Sequence, residues 1–148
     1  MKRNNWWLAV GLVIFGLSLT GCKIVARVQA DEHPAEVTKI EGSEFSRVSL
    51  TEKAIERIAL ETDFVREQQL PRSTTRQAVV PYSSLIYGPK GETWVYTSPQ
   101  ARTFVRHKVE VDYIQGDIAV LKSGPAVGTT VVSVAAAELY GTELKVGH

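Results

Sequence analysis

The chain has 148 residues, with 17 Lys and Arg against 16 Asp and Glu. That near balance argues against nucleic acid as a partner. The length suits one small domain, and the single cysteine, Cys22, leaves no internal disulfide to hold it.

Lys2 and Arg3, an apolar run from Trp6 to Leu19, and small residues before Cys22 make up an export signal over residues 1–21. The run is too short and wrongly flanked to span a bilayer. Leu19-Thr20-Gly21-Cys22 resembles the bacterial lipobox, in which the cysteine thiol receives a diacylglycerol and becomes the first mature residue. The resemblance implies a lipoprotein anchored to a membrane through Cys22 on the extracytoplasmic, periplasmic side of a bacterial envelope. Acyl chains hold such a domain by burying methylenes at about 0.8 kcal/mol each. Lys23 is not the aspartate that retains many lipoproteins at the inner membrane. Loss of Lys2 and Arg3 leaves 15 basic and 16 acidic residues.

Residues 22–44 carry Asp31, Glu32, Glu36 and Glu41 with few large apolar groups, the composition of a flexible tether. Its reach is about 25 Å as a coil and at most about 70 Å extended. Residues 45–148 form the folded part. Thr51 is a good N-cap, and Ile55, Ile58 and Ala59 fall on one helical face, which predicts one short helix over 51–59. Glu52 in its first turn and Arg57 in its last suit the helix dipole.

Beyond Leu60 the pattern predicts strands. Gln77-Ala78-Val79-Val80 is a short run closed by Pro81, which ends a strand or sits at an edge. Leu85-Ile86-Tyr87 and Thr93-Trp94-Val95-Tyr96-Thr97 flank a turn of Gly88, Pro89, Lys90 and Gly91, a predicted hairpin. A second hairpin joins residues 103–113 to Ile118-Ala119-Val120-Leu121 through Gln115, Gly116 and Asp117. There Phe104, Val109 and Val111 are set against Arg106, Lys108, Glu110 and Asp112. Thr130-Val131-Val132-Ser133-Val134 is a further strand, and Ala135-Ala136-Ala137-Glu138-Leu139 a helical turn before Gly141. Strands every 8 to 14 residues without long intervening helices predict a mainly β class, a small barrel or sandwich.

Four blocks stand in order: Val80-Pro81-Tyr82-Ser83-Ser84-Leu85-Ile86-Tyr87; Gly91-Glu92-Thr93-Trp94-Val95-Tyr96; Val109-Glu110-Val111; and Gly124 to Gly128 with Val131-Val132. They resemble the membrane-proximal domain of the periplasmic adaptor, or membrane fusion protein, family of RND-type (HlyD-like) efflux systems. The earlier Val48-Ser49-Leu50-Thr51-Glu52-Lys53-Ala54 stretch, continuing to Thr62, is similar to the opening segment of the same adaptors. The resemblance covers roughly residues 45–140. It implies a non-enzymatic module that docks on an efflux permease or on other adaptor subunits and assists transmembrane transport. Two departures stand out. About 15 residues replace the lipoyl parts and the long helical hairpin, so no coiled-coil tunnel is possible and the pump-side part alone is present. The return loop, Gly124-Pro125-Ala126-Val127-Gly128-Thr129, also lacks the family's acidic residue after the last glycine.

No catalytic constellation is readable. His33, His107 and His148 lie far apart without ligand spacing. His33, beside Asp31, Glu32 and Glu36, is the one metal candidate, and His107 between Arg106 and Lys108 reads as a surface strand residue. Ser83 and Ser84 lack the Gly-x-Ser-x-Gly context of a nucleophile. Trp94, Tyr96, Tyr87 and Tyr82 around one turn read as cross-strand packing more than as a binding face. The expectation is a protein without enzymatic activity or cofactor, whose candidate partner contacts are the turns Gly88, Pro89, Lys90, Gly91 and Gln115, Gly116, Asp117. A lipid-anchored metal- or small-ligand-binding β domain is the alternative.

Overall fold

Trp94, Val95 and Tyr96 are consecutive in sequence and all buried. Successive strand side chains point to opposite faces, so this strand has a core on each side. It is the middle of the domain that a computed structural model describes over residues 33–145. The signal, the lipobox and Cys22 lie outside the described residues.

Among the described residues, ten strands and two helices follow one another. They are β1 (Ala35–Lys39), β2 (Ser46–Leu50), α1 (Glu52–Arg57), β3 (Glu61–Phe64), β4 (Arg66–Gln69), β5 (Arg76–Pro81), β6 (Ile86–Tyr87), β7 (Thr93–Gln100), β8 (Thr103–Gln115), β9 (Ile118–Ser123), β10 (Thr130–Val134) and α2 (Ala136–Glu143). The mainly β class is as expected, realised as a curled half-barrel sheet. Its strand order is β3-β10-β7-β8-β9-β5-β4, with β2 also paired to β8, β1 to β2, and β6 to β7.

The curl follows from one residue. β3 and β4 stand at opposite ends of that order, yet only Val65 separates them in the chain. The sheet must therefore bend until its two edges meet. Val65 is buried there, its N–H donating to the Thr129 carbonyl at 2.9 Å and its carbonyl accepting from Gly128 N–H at 2.8 Å. Gly128 has φ +88°, a backbone angle glycine takes without strain. β8, with 13 residues, pairs with β2 and β7 in its first half and β9 in its second, and its register against β9 shifts near Val111. Such bulges are how a long strand bends from one sheet into the next.

The two faces bury different residues. Val65, Val80, Val95, Val109 and Val131 pack with Ala119 and Leu121; drawn from β5, β7, β8, β9 and β10, they fill the inside of the curl. On the other face Val48, Trp94, Tyr96 and Phe104 pack with Leu139 of α2 and Ala54 of α1. α1 starts as expected, with the Thr51 hydroxyl accepting from Ala54 N–H at 3.2 Å.

Three boundaries differ from the sequence reading. The helix expected over 51–59 ends at Arg57, with Ile58 as its C-cap and Ala59 at φ +48°. Residues 35–44, assigned above to the tether, form β1 and its return into β2, with Val37 opposite Val48. Ala35 and Val37 alternate with Glu36 and Thr38 and pack on the aromatic core, a period-two signal that the surrounding charges outweighed. The helical turn expected before Gly141 continues through it to Glu143. The cost of a helical glycine, about 1 kcal/mol, is offset by the burial of Leu139 and by the bonds that Glu143 makes.

Candidate functional site

The two turns singled out from sequence are placed by hairpin geometry. In the first, Gly88 N–H donates to Glu92 O at 2.8 Å, Gly91 N–H to Gly88 O at 3.0 Å, and Lys90 N–H to Glu92 Oε2 at 3.1 Å, while Gly91 holds φ +82°. Pro89 and Lys90 form the exposed tip. In the second, Gly116 takes φ +62° between the paired Gln115 and Ile118, and Gln115, Gly116 and Asp117 are exposed.

The 3-10 turn Tyr82–Ser84 connects the roots of these turns. Tyr82 N–H donates to the Asp117 carbonyl at 2.7 Å. Partial desolvation, and then the neighbouring Tyr82 phenol, raise the Tyr87 phenol above its ordinary pKa. Tyr82 is 45% exposed, Tyr87 53% and Phe64 54%, large values for aromatic groups held on paired backbone. Phe64, Pro81, Asp117 and Ile118 line a shallow depression of about 250 Å³ on this edge. The sequence placed all four aromatics around the first turn in cross-strand packing. Trp94 and Tyr96 do pack inside, whereas Tyr82 and Tyr87 face outward: Ile86 turns into the core, so alternation sends Tyr87 the other way.

A second polar arrangement was missed from sequence. Glu143, at the end of α2, is buried against the sheet. Its carboxylate accepts from Arg106 Nε at 2.7 Å and Arg106 Nη2 at 3.1 Å, from the Tyr96 hydroxyl at 2.5 Å, and from Ser46 N–H at 3.0 Å. Four donors on one carboxylate satisfy the charge that burial would otherwise strand. The Arg106 guanidinium lies 5.1 Å from the Phe45 ring centre, 5.3 Å from Tyr140 and 5.4 Å from Trp94, within cation–π range of all three. Burial works against the Arg106 charge, but the hydrogen bonds and charge of Glu143 outweigh it and raise the pKa. Burial, and then the bond to Glu143, push the Tyr96 phenol far above its ordinary value. The signal was present: Arg106 and Lys108 share parity with Phe104, so period two puts Arg106 on the aromatic face, not opposite it.

The other candidates remain apart. His107 is exposed on β8, and His33 is exposed on the rim of a groove beside β1. Among the described residues no three His, Cys, Asp or Glu side chains converge as a metal site. Ser83 is exposed, and the buried Ser84 hydroxyl has no hydrogen-bond partner. No described helix is long and apolar enough to cross a membrane.

Fold and site together define a small mainly β domain with an ordered aromatic edge. No protein-family model matches the chain, and no curated protein matches it significantly. Among solved structures it is similar to an NMR structure of the N-terminal metal-binding site and membrane proximal domain of SilB from Cupriavidus metallidurans CH34. The identity is 18% and the TM-score 0.44, over 61% of this chain and 51% of that one, so the chain spans about half the length of that structure.

Proposed function

We propose that this chain is a non-enzymatic exported lipoprotein of the periplasmic-adaptor kind. Cys22 holds it on the extracytoplasmic side of a membrane, and its β domain docks on a membrane transporter, an efflux permease with or without other adaptor subunits, to assist transport. The observation that carries the reading is the edge on which Phe64, Tyr82 and Tyr87 stand exposed beside the turn of Gln115, Gly116 and Asp117. An ordered apolar surface rimmed by polar turns is what a protein partner uses; a catalytic or metal site needs converging polar groups instead.

The blocks that resemble the adaptor family support it further, because they fall on one frame. Val80 lies on β5, Trp94, Val95 and Tyr96 on β7, Val109 on β8, and Val131 and Val132 on β10, all buried. Where adaptors insert a helical hairpin, this chain runs from β3 through Val65 into β4 and β5, which leaves the pump-side module. The test is affinity purification of the tagged full-length protein from detergent-solubilised membranes, with partners identified by mass spectrometry. A multi-spanning transporter subunit is expected with the wild type and should be depleted by Tyr82→Ala or Asp117→Lys. Absence of any transporter subunit overturns the reading.

A further inference from the structure

A groove of about 940 Å³ on the other side of β1 plays no part in that docking edge. It runs between β1, the turn at Arg102 and the two helices, and its floor is apolar, with Val37, Leu50, Ala54 and Ile58. Its rim carries both signs of charge. Arg57, Arg102 and Lys145 stand there with Glu36 and Glu138, and among the described residues none of these five enters a salt bridge.

Two of the cations occupy positions where a side chain is disfavoured. Arg102 has φ +60° and Lys145 φ +55°, the left-handed region in which glycine is the unstrained residue. Each position needs only its backbone: the Arg102 carbonyl accepts from Leu50 N–H at 3.0 Å, and just past α2 the Lys145 N–H donates to the Thr142 carbonyl at 3.1 Å. Glycine would serve both. Ala59 and Ala135 hold the same region; what sets Arg102 and Lys145 apart is that both put a cation on the same cavity, and strained positions cluster at ligand sites.

We propose that the groove binds the phosphoethanolamine headgroup of a membrane phospholipid. The phosphate is held by Arg57, Arg102 and Lys145, the ammonium by Glu36 and Glu138, and the glycerol and first methylenes lie on the apolar floor. A zwitterion uses both signs of the rim, which a simple anion does not, and a free phosphate has no use for the floor. The site lies near a bilayer on the anchor reading proposed above, and rests on that reading for proximity alone. His33 on the rim follows Cys22 by eleven residues, a reach of at most about 40 Å.

The experiment titrates dihexanoylphosphatidylethanolamine into the full-length protein in neutral maltoside micelles, with bound lipid counted by native mass spectrometry. The phosphatidylcholine and phosphatidylglycerol of the same chain length, and inorganic phosphate, are titrated in parallel. One phosphatidylethanolamine per chain is expected, at least tenfold tighter than the other three probes. Arg102→Gly should weaken it tenfold or more with an unchanged or raised melting temperature, and Arg57→Gln and Glu138→Gln should weaken it with the fold intact. Equal binding of phosphatidylcholine or phosphatidylglycerol, equal binding of inorganic phosphate, or indifference to both Arg102→Gly and Arg57→Gln overturns the proposal. Intact mass reports Cys22 lipidation separately, and the Cys22→Ser chain should bind the headgroup as the wild type does. An unlipidated Cys22 therefore sinks the anchor and leaves the groove to be decided by the titration.

Discussion

The two faces of β7 solve the problem of burial in opposite ways. Inside the curl, valines from four strands, Ala119 and Leu121 of β9, and the corner residue Val65 pack together. On the outer face the carboxylate of Glu143 and the guanidinium of Arg106 are buried among Tyr96, Trp94, Phe45 and Tyr140. The valine face is held by area removed from water and is indifferent to pH. The aromatic face is held by a directional network that fixes one orientation of α2, and loss of either Glu143 or Arg106 leaves the other charge stranded. One face closes the sheet; the other positions a helix on it.

Breaking the network should have the largest effect. Glu143→Ala leaves Arg106 largely buried without its partner, a loss expected to cost about 3–5 kcal/mol, read from urea unfolding. The double replacement Glu143→Met with Arg106→Met should recover most of it, since a buried ion pair is often no better than apolar residues of like volume. Val65→Ala removes two methyl groups at the seam of the sheet and should cost about 2 kcal/mol, with no recovery from any change on the outer face.

The pH dependence separates the faces as well. Tyr96 has its folded pKa raised above the unfolded value near 10, so the folded state keeps a proton that the unfolded state gives up. Its contribution is therefore complete below pH 10 and is lost as pH rises beyond it, at about 1.4 kcal/mol per pH unit. Stability curves between pH 9 and 11 should show this slope in the wild type and in Val65→Ala, and a shallower one in Tyr96→Phe. The smallest expected effect is a gain: Arg102→Gly relieves a left-handed side chain and should stabilise by about 1 kcal/mol in thermal or urea unfolding.

Much of the frame was legible because local rules dictate it. Gly91 and Gly116 mark turns that need positive φ, Thr51 caps α1, and the alternation of residues 103–113 and the valine-rich runs mark strands. The rest depends on partners distant in sequence. β1 is a strand because Val37 finds Val48, and Arg106 is buried because Glu143 lies 37 residues further on. The proposed docking edge was half legible. Its turns were visible from their glycines, but the outward face of Tyr87 depends on Ile86 taking the core position, Tyr82 stands on the 3-10 turn, and Phe64 is placed by the pairing of β3 with β10.

The central claim, that this edge docks on a membrane transporter, is tested most directly by photo-cross-linking in intact cells. A photoreactive residue replaces Tyr82 in one full-length chain and, as a control, the exposed Arg47 in another. The account predicts a cross-linked adduct from position 82, identified by mass spectrometry as a multi-spanning transporter subunit, and none from position 47. An adduct from position 47 with none from position 82, or none from either in cells where the protein is present, contradicts it.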